Sequence, residues 1–269
     1  MTERAREDAL PRLTSAAAGI ATALLASLLL LFLIAPVGEL VARGGAAGAR
    51  SLLHDAELRG AILRTIGTAT AATLLGALLG TPLAWLLARR AFPGRAIVAA
   101  LVDLPLLIPH PVAGIALLLV LGRDSATGQA LLAAGLRVAG SPLGIVAAML
   151  FVAGPLYVSA AREAFARVEP RFEAVARTLG DTPWSAFRRV TLPLSGRGLT
   201  AAAVVMWARA VSEFGAIAVI AYNPKTASVL SYDRFAVYGL SEALPVAAVL
   251  VLLAVVPLVA LRALRARAA

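Results

Sequence analysis

Few side chains in this sequence combine a type and a spacing that suit chemistry. Arg209 and Glu213 stand four residues apart in an apolar run, so on a helix they share one face. His110 sits among Pro105, Pro109 and Pro111, with Asp103 shortly before it. These groups suit electrostatic work rather than catalysis. A guanidinium beside a carboxylate in an apolar setting is either a compensated pair that fixes helix packing or a source of attraction for a passing anion. In the second case the planar fork of donors matters as well as the charge. His110 either caps or bonds backbone at a helix break, or lines a gate together with Pro109. Asp103 reads as a helix-end or interfacial partner of a nearby Arg. A proton relay would need more intramembrane carboxylates than Asp103 and Glu213. The sequence has no Cys and two His, which excludes disulfides, Cys-ligated zinc and iron–sulfur clusters and speaks against a His-rich metal centre.

A second concentration of polar residues runs from Arg162 to Gly198. It holds seven of the 25 Lys+Arg residues (Arg162, Arg167, Arg171, Arg177, Arg188, Arg189 and Arg197) and four of the 15 acids (Glu163, Glu169, Glu173 and Asp181). Its local signals are specific. Glu169-Pro170 opens a helix, since Pro suits the first turn. Phe172, Val175, Ala176 and Leu179 then recur on one face. Gly180 closes that helix. Thr182 caps a second short helix, with Pro183 at its first position, and Leu192-Pro193 ends it. Trp184, Phe187 and Val190 recur every three residues, which predicts an aromatic ridge facing the cytosol. Such a pair of helices either packs on the membrane surface or docks a partner, because aromatic and Arg residues are enriched at interface hot spots.

The elements that must position these groups are membrane helices. Hydrophobic residues make up 60% of the chain, well above the usual ~45–50% of soluble domains. Crossing the ~30 Å hydrocarbon core takes about 20 apolar residues. Six stretches qualify: Ala16–Val37, Ala61–Ala88, Ala96–Leu121, Ser141–Ala161, Leu199–Tyr222 and Pro245–Leu261. The alternating strands of a membrane β-barrel are absent. The expected fold is therefore all-α and polytopic. The segments are a tail (1–15), a first span with a polar outer loop (16–60), a core (61–261) containing the charged loop 162–198, and a basic tail (262–269). Gly122–Gly140 and Asn223–Leu244 are expected to be loops, and Leu52, Leu53 and Leu58 suggest a short interfacial helix after the first span. Three prolines in the third span break it, and broken helix at membrane depth is tolerated where it is buried in protein or lines a wet cavity.

Lys and Arg sort by side. With the N-terminus in the cytoplasm, inner segments hold 16 of them and outer loops seven, with Arg64 and Arg209 inside spans. The positive-inside rule places both termini and the charged loop in the cytoplasm. Topology thus accounts for the net charge of +10 without nucleic acid.

The stretch Glu173–Gly180, followed after nine residues by Val190-Thr191-Leu192-Pro193, resembles the EAA loop of ABC-importer permeases. Val175 departs from the small residue usual there, and Glu173 stands one residue further from Gly180 than in the shortest form of the motif. Leu104–Gly114, Arg209–Ala216, Ala221-Tyr222-Asn223-Pro224 and Tyr232-Asp233-Arg234-Phe235 are similar to the molybdate/tungstate branch, and sulfate permeases share parts of them. The resemblance implies a type I ABC importer permease of the inner membrane with six transmembrane helices. Two copies would form the pathway for a tetrahedral oxyanion. It implies two ATP-binding cassette subunits and an extracytoplasmic binding protein as partners. It also implies that Glu173, Gly180, Thr182, Pro183, Trp184, Phe187, Arg188 and Arg189 form the coupling region, with Trp184 and Phe187 as anchors. No Gly-x4-Gly-Lys-Ser/Thr phosphate loop occurs, so ATP belongs to the partner and this chain needs no cofactor. A sulfate permease keeps the class and changes the anion. An ion-coupled secondary transporter would show internal repeats and midplane ion ligands.

Overall fold

The computed structural model describes residues Ala9–Ala266, and among them there is no strand. Arg4, Arg6 and Arg267 of the two basic tails lie outside the described residues.

Helix α1 (Ala9–His54) is longer than expected. The predicted outer loop after the first span is continuous helix, and only Asp55 separates it from α2 (Ala56–Arg89). The Gly/Ala content that suggested a loop is used for packing instead. Gly44 and Gly48 let α1 approach the Leu244 and Pro245 carbonyls of α12 (Leu240–Ala266); a Cβ at either glycine would lie 2.6–2.7 Å from those oxygens. Small residues allow close helix contact of this kind. The preceding stretch, residues 18–38, is exposed throughout.

The core is built by α2, α6 (Pro142–Ala166) and α9 (Leu192–Val211). Gly76 of α2 meets Met206 of α9 and Leu150 of α6, and Gly80 meets Tyr157, with Ala69 and Ala72 buried in the same cluster. Pro82 sits inside α2 without ending it. The neighbouring Thr81 hydroxyl bonds the Ala77 carbonyl and meets the Tyr157 hydroxyl at 2.7 Å.

The third predicted span is broken as the prolines require. Helix α3 (Arg95–Leu107) and α4 (His110–Leu121) meet at 115° across Ile108-Pro109. The expected loops carry further helices: α5 (Ala126–Ala133) lies within 122–140 and α11 (Ala227–Tyr238) within 223–244. The fifth span begins earlier than predicted and is interrupted: α9 ends at Val211, and α10 (Gly215–Ile220) follows. By length and apolarity α1, α2 and α6 each suffice to cross a membrane, and α3 with α4 suffices only as a pair bent by 115°, the geometry of a broken span or of a re-entrant loop. Helix α9 does not meet that test.

Candidate functional site

The charged loop folds as two short helices. Helix α7 (Pro170–Thr178) starts after Glu169 and ends at Gly180, whose φ of +101° is a left-handed turn that favours glycine. Helix α8 (Pro183–Ala186) is capped by Thr182, whose Oγ1 accepts from the Ser185 N–H at 3.2 Å. Leu192-Pro193 does not end the segment. A π-helical turn, Phe187–Thr191, carries the chain into α9, where Pro193 falls in the first turn and its missing N–H costs nothing.

The predicted aromatic ridge is split between two environments. Trp184 stacks on Phe187 at 5.5 Å and is 68% exposed. Phe187 is 8% exposed and faces the bundle, edge-on to Trp85 at 5.4 Å and 6.1 Å from Phe165. It anchors the loop to its own chain, so it is not an exposed anchor. The exposed apolar side chains of the loop are instead Trp184 and, from α7 and its end, Phe172, Val175 and Leu179; α7 buries none of its residues.

Glu173 also turns inward. It accepts a hydrogen bond from the Thr191 hydroxyl and lies 3.9 Å from Arg89 Nε. Arg89 in turn donates to the Val168 carbonyl at 2.5 Å. The carboxylate therefore ties the start of the loop to its end and to α2. Asp181 accepts from Ser185 Oγ at 2.5 Å and from Arg189 at 3.4 Å, while Gly180, Thr182, Pro183 and Arg188 are exposed. Thr191 and Arg89 escaped the sequence reading. Arg89 carried only a topological signal there, and Thr191 is inconspicuous within its motif.

The second cluster lies where the two broken helices meet. Glu213, in the gap between α9 and α10, is 1% exposed. Its Oε2 accepts from Arg209 Nη2 at 2.7 Å and its Oε1 from the Ala216 N–H at 2.9 Å. His110 opens α4 directly after the break at Pro109. Its ring is neither a cap nor bonded to backbone, as one reading expected: Nε2 accepts from Arg209 and stands 3.6 Å from Glu213 Oε2. Gly215 makes this meeting possible, since a Cβ there would come within 2.8 Å of His110 Cβ. Ser212, missed by the sequence reading, accepts weakly from Arg209 Nη1 at 3.4 Å. The Arg209 and His110 side chains keep 24% and 41% exposure, so one side of the cluster is open. Asp103 is not paired with an Arg: it accepts from Ser159 at 3.1 Å.

A third cluster ties α11 to the start of α2. Arg234 bridges Asp55 at 2.6 Å and Glu57 at 3.2 Å, and Lys225 bridges Asp233 at 2.5 Å. Tyr222 donates to Asp233 at 2.6 Å. The hydrogen bond from Lys225, then that from Tyr222, holds the Asp233 carboxyl below its ordinary value. The bond to Asp233 raises Lys225 against the opposing effect of burial. For Asp55, burial pushes upward, but the Leu58 N–H and Arg234 outweigh it and leave the carboxyl lowered.

This architecture can be set beside known proteins. The family described as "Binding-protein-dependent transport system inner membrane component" matches residues 80–268, from the middle of α2 through the loop to the end of α12. The chain belongs to this family. Among relatives of this inner membrane component, the "Molybdate/tungstate transport system permease protein WtpB" of Thermococcus kodakarensis is 44% identical over 210 residues, covering 78% of this chain and 80% of that protein. The "Probable molybdenum ABC transporter permease protein" of Haloferax volcanii is 40% identical over 235 residues, 87% of this chain and 86% of that protein. The "Sulfate transport system permease protein CysT" of a Synechocystis species is 33% identical over 229 residues, 82% and 80% of the two chains. A solved bacterial alginate ABC transporter, in complex with its alginate pentasaccharide-bound periplasmic protein, superposes with a TM-score of 0.69 over 97% of this chain and 96% of its own at 20% identity. The all-α architecture is thus that of ABC importer permeases. The chain is a membrane-embedded transporter subunit, and its role is transport rather than catalysis.

Proposed function

We propose that this inner membrane component is the translocating subunit of an ATP-driven importer for molybdate or tungstate. The supporting observation is the 44% identity to a molybdate/tungstate permease across four fifths of that protein's length. In this reading α9 with α10 and α12 complete six crossings, both termini are cytoplasmic, and two copies enclose the pathway. ATP is bound and hydrolysed by two separate cassette subunits. An extracytoplasmic binding protein delivers the anion, and the permease needs no cofactor of its own.

The loop geometry supports the coupling role. Trp184, Phe172, Val175 and Leu179 are exposed and in this reading make up the docking strip, with Arg188 and Arg189 exposed nearby in the sequence. Phe187 and Glu173 mount it rigidly on α2 and α6. A push on the strip would pass directly to the membrane helices. Pro109, His110, Arg209 and Glu213 sit at the two helix breaks, where a rearrangement of helices would open or close the pathway.

The deciding assay is ATP hydrolysis by the reconstituted complex with molybdate-, tungstate- or sulfate-loaded binding protein. Molybdate or tungstate should stimulate. Stimulation by sulfate alone would move the chain to the sulfate branch, to which it is 33% identical. A chain that purifies alone in mild detergent, with no ATPase subunit, would overturn the reading.

A further inference from the structure

The cluster at the two helix breaks carries an inference about affinity, and it rests on the anion-import reading above. Arg209 is the cation of this cluster, and its pairing is uneven. Nη2 is shared between the Glu213 carboxylate and His110, whereas Nη1 has only the long contact to Ser212. Glu213 is buried, and both of its oxygens are committed, one to Arg209 and one to the α10 backbone. The carboxylate therefore cannot swing away without uncapping α10. It is a fixed negative charge behind a partly open positive one.

A translocation pathway needs contact strong enough to admit an ion and weak enough to let it leave. An uncompensated guanidinium in a low-dielectric wall would hold a dianion too tightly, because Coulomb energies there far exceed those in water. A fixed carboxylate 2.7 Å from Arg209 opposes that attraction at every moment. The Nη1 edge and the exposed part of His110 remain on the open side, while the Ser212 hydroxyl is already donated to the Arg209 carbonyl at 3.0 Å.

We propose that Glu213 limits affinity in the pathway: its buried carboxylate weakens the hold of Arg209 on the passing oxyanion so that the site conducts and does not trap. Glu213 is thus a positioning residue, and Arg209 makes the contact. The test is equilibrium binding of tungstate and molybdate to the purified full-length permease in nanodiscs. The wild type should bind measurably only at millimolar anion. Glu213→Gln should bind at least about tenfold more tightly, since removing one nearby charge is worth more than 1.4 kcal/mol. The gain should vanish when Arg209→Gln is added, and Glu213→Asp should restore wild-type behaviour. Import by Glu213→Gln should fall as binding rises, which a merely structural defect would not produce.

Glu213→Met removes the same charge and leaves no buried side-chain amide to satisfy. It should also raise affinity, and it decides the matter if Glu213→Gln does not fold. A folded variant with no gain in anion binding would overturn the proposal. Failure of the underlying reading looks different: wild-type complex would then respond to no loaded binding protein at all. Normal stimulation of the wild type with no tighter binding in either variant sinks this inference alone.

Discussion

Two aromatic residues three positions apart in the charged loop sit in opposite environments. Phe187 fills a site between Trp85 and Phe165, so Phe187→Ala should cost about 3–5 kcal/mol, the usual range for a buried aromatic. It should lower the thermal midpoint of the purified permease. Trp184 is mostly exposed, so Trp184→Ala should leave that midpoint nearly unchanged. It should instead weaken association with the ATPase by about tenfold or more, as loss of an interface hot spot does. Unfolding curves and co-purification separate the two effects; a large fall in midpoint for Trp184→Ala would refute this division. The sequence made the cap at Thr182 and the turn at Gly180 legible, because those depend on neighbours in the chain. It could not tell Phe187 from Trp184. Three-residue spacing placed both on one side, but the inward turn of Phe187 is decided by Trp85 and Phe165, which are remote in sequence. Glu173 was hidden for the same reason, since Arg89 comes from another helix.

At the scale of elements, breaks in helices were legible and their consequences only partly so. Pro109 marked the α3–α4 break, since proline removes a donor and disfavours helix before it. No comparable signal announced the break at Ser212–Phe214, where Glu213 replaces the missing backbone partners by accepting from Ala216. Gly215→Val should disturb this junction, because even a Cβ would lie 2.8 Å from His110 Cβ. The expected result is loss of transport with loop docking intact, measured as uptake against co-purified ATPase. The segment 223–244 was read as loop because its charges mask helical periodicity; those charges hold α11 in place. Asp233 has a lowered carboxyl and Lys225 a raised ammonium. A lowered acid stabilises above its ordinary value and loses that contribution as pH falls through the folded one. A raised base stabilises below its ordinary value and loses it above the folded one. The network should therefore hold through neutral pH and weaken below about pH 4. Asp233→Asn should flatten the fall in thermal midpoint between pH 5 and pH 3. An unchanged slope would show that the cluster does not govern acid stability.

At the scale of the whole molecule, the direction in which the helices cross the membrane decides what the charged loop and α11 can each meet. Length and apolarity single out α1, α2, α6 and the bent α3–α4 pair, but pass over α9. The reason is chemical. Helix α9 carries Arg197 and Arg209, which lower its mean hydropathy. Yet Arg197 lies near the helix start, where the charged loop joins it, and Arg209 is compensated by Glu213. An arginine at the interface and a neutralised pair at a helix break are both tolerable in a crossing helix. Helices α9 and α10 should then separate the charged loop from α11 by one crossing, as the 16-to-seven distribution of Lys and Arg also requires. The chain has no cysteine, so single introduced thiols report without background. Leu179 and Tyr238 are 84% and 68% exposed, one in the loop and one at the end of α11. A membrane-impermeant maleimide should label Tyr238→Cys on intact cells, and Leu179→Cys only after the membrane is opened. Labelling of both thiols from one side would mean that α9 and α10 do not cross. The pathway proposed at the two helix breaks would then lose one of its walls.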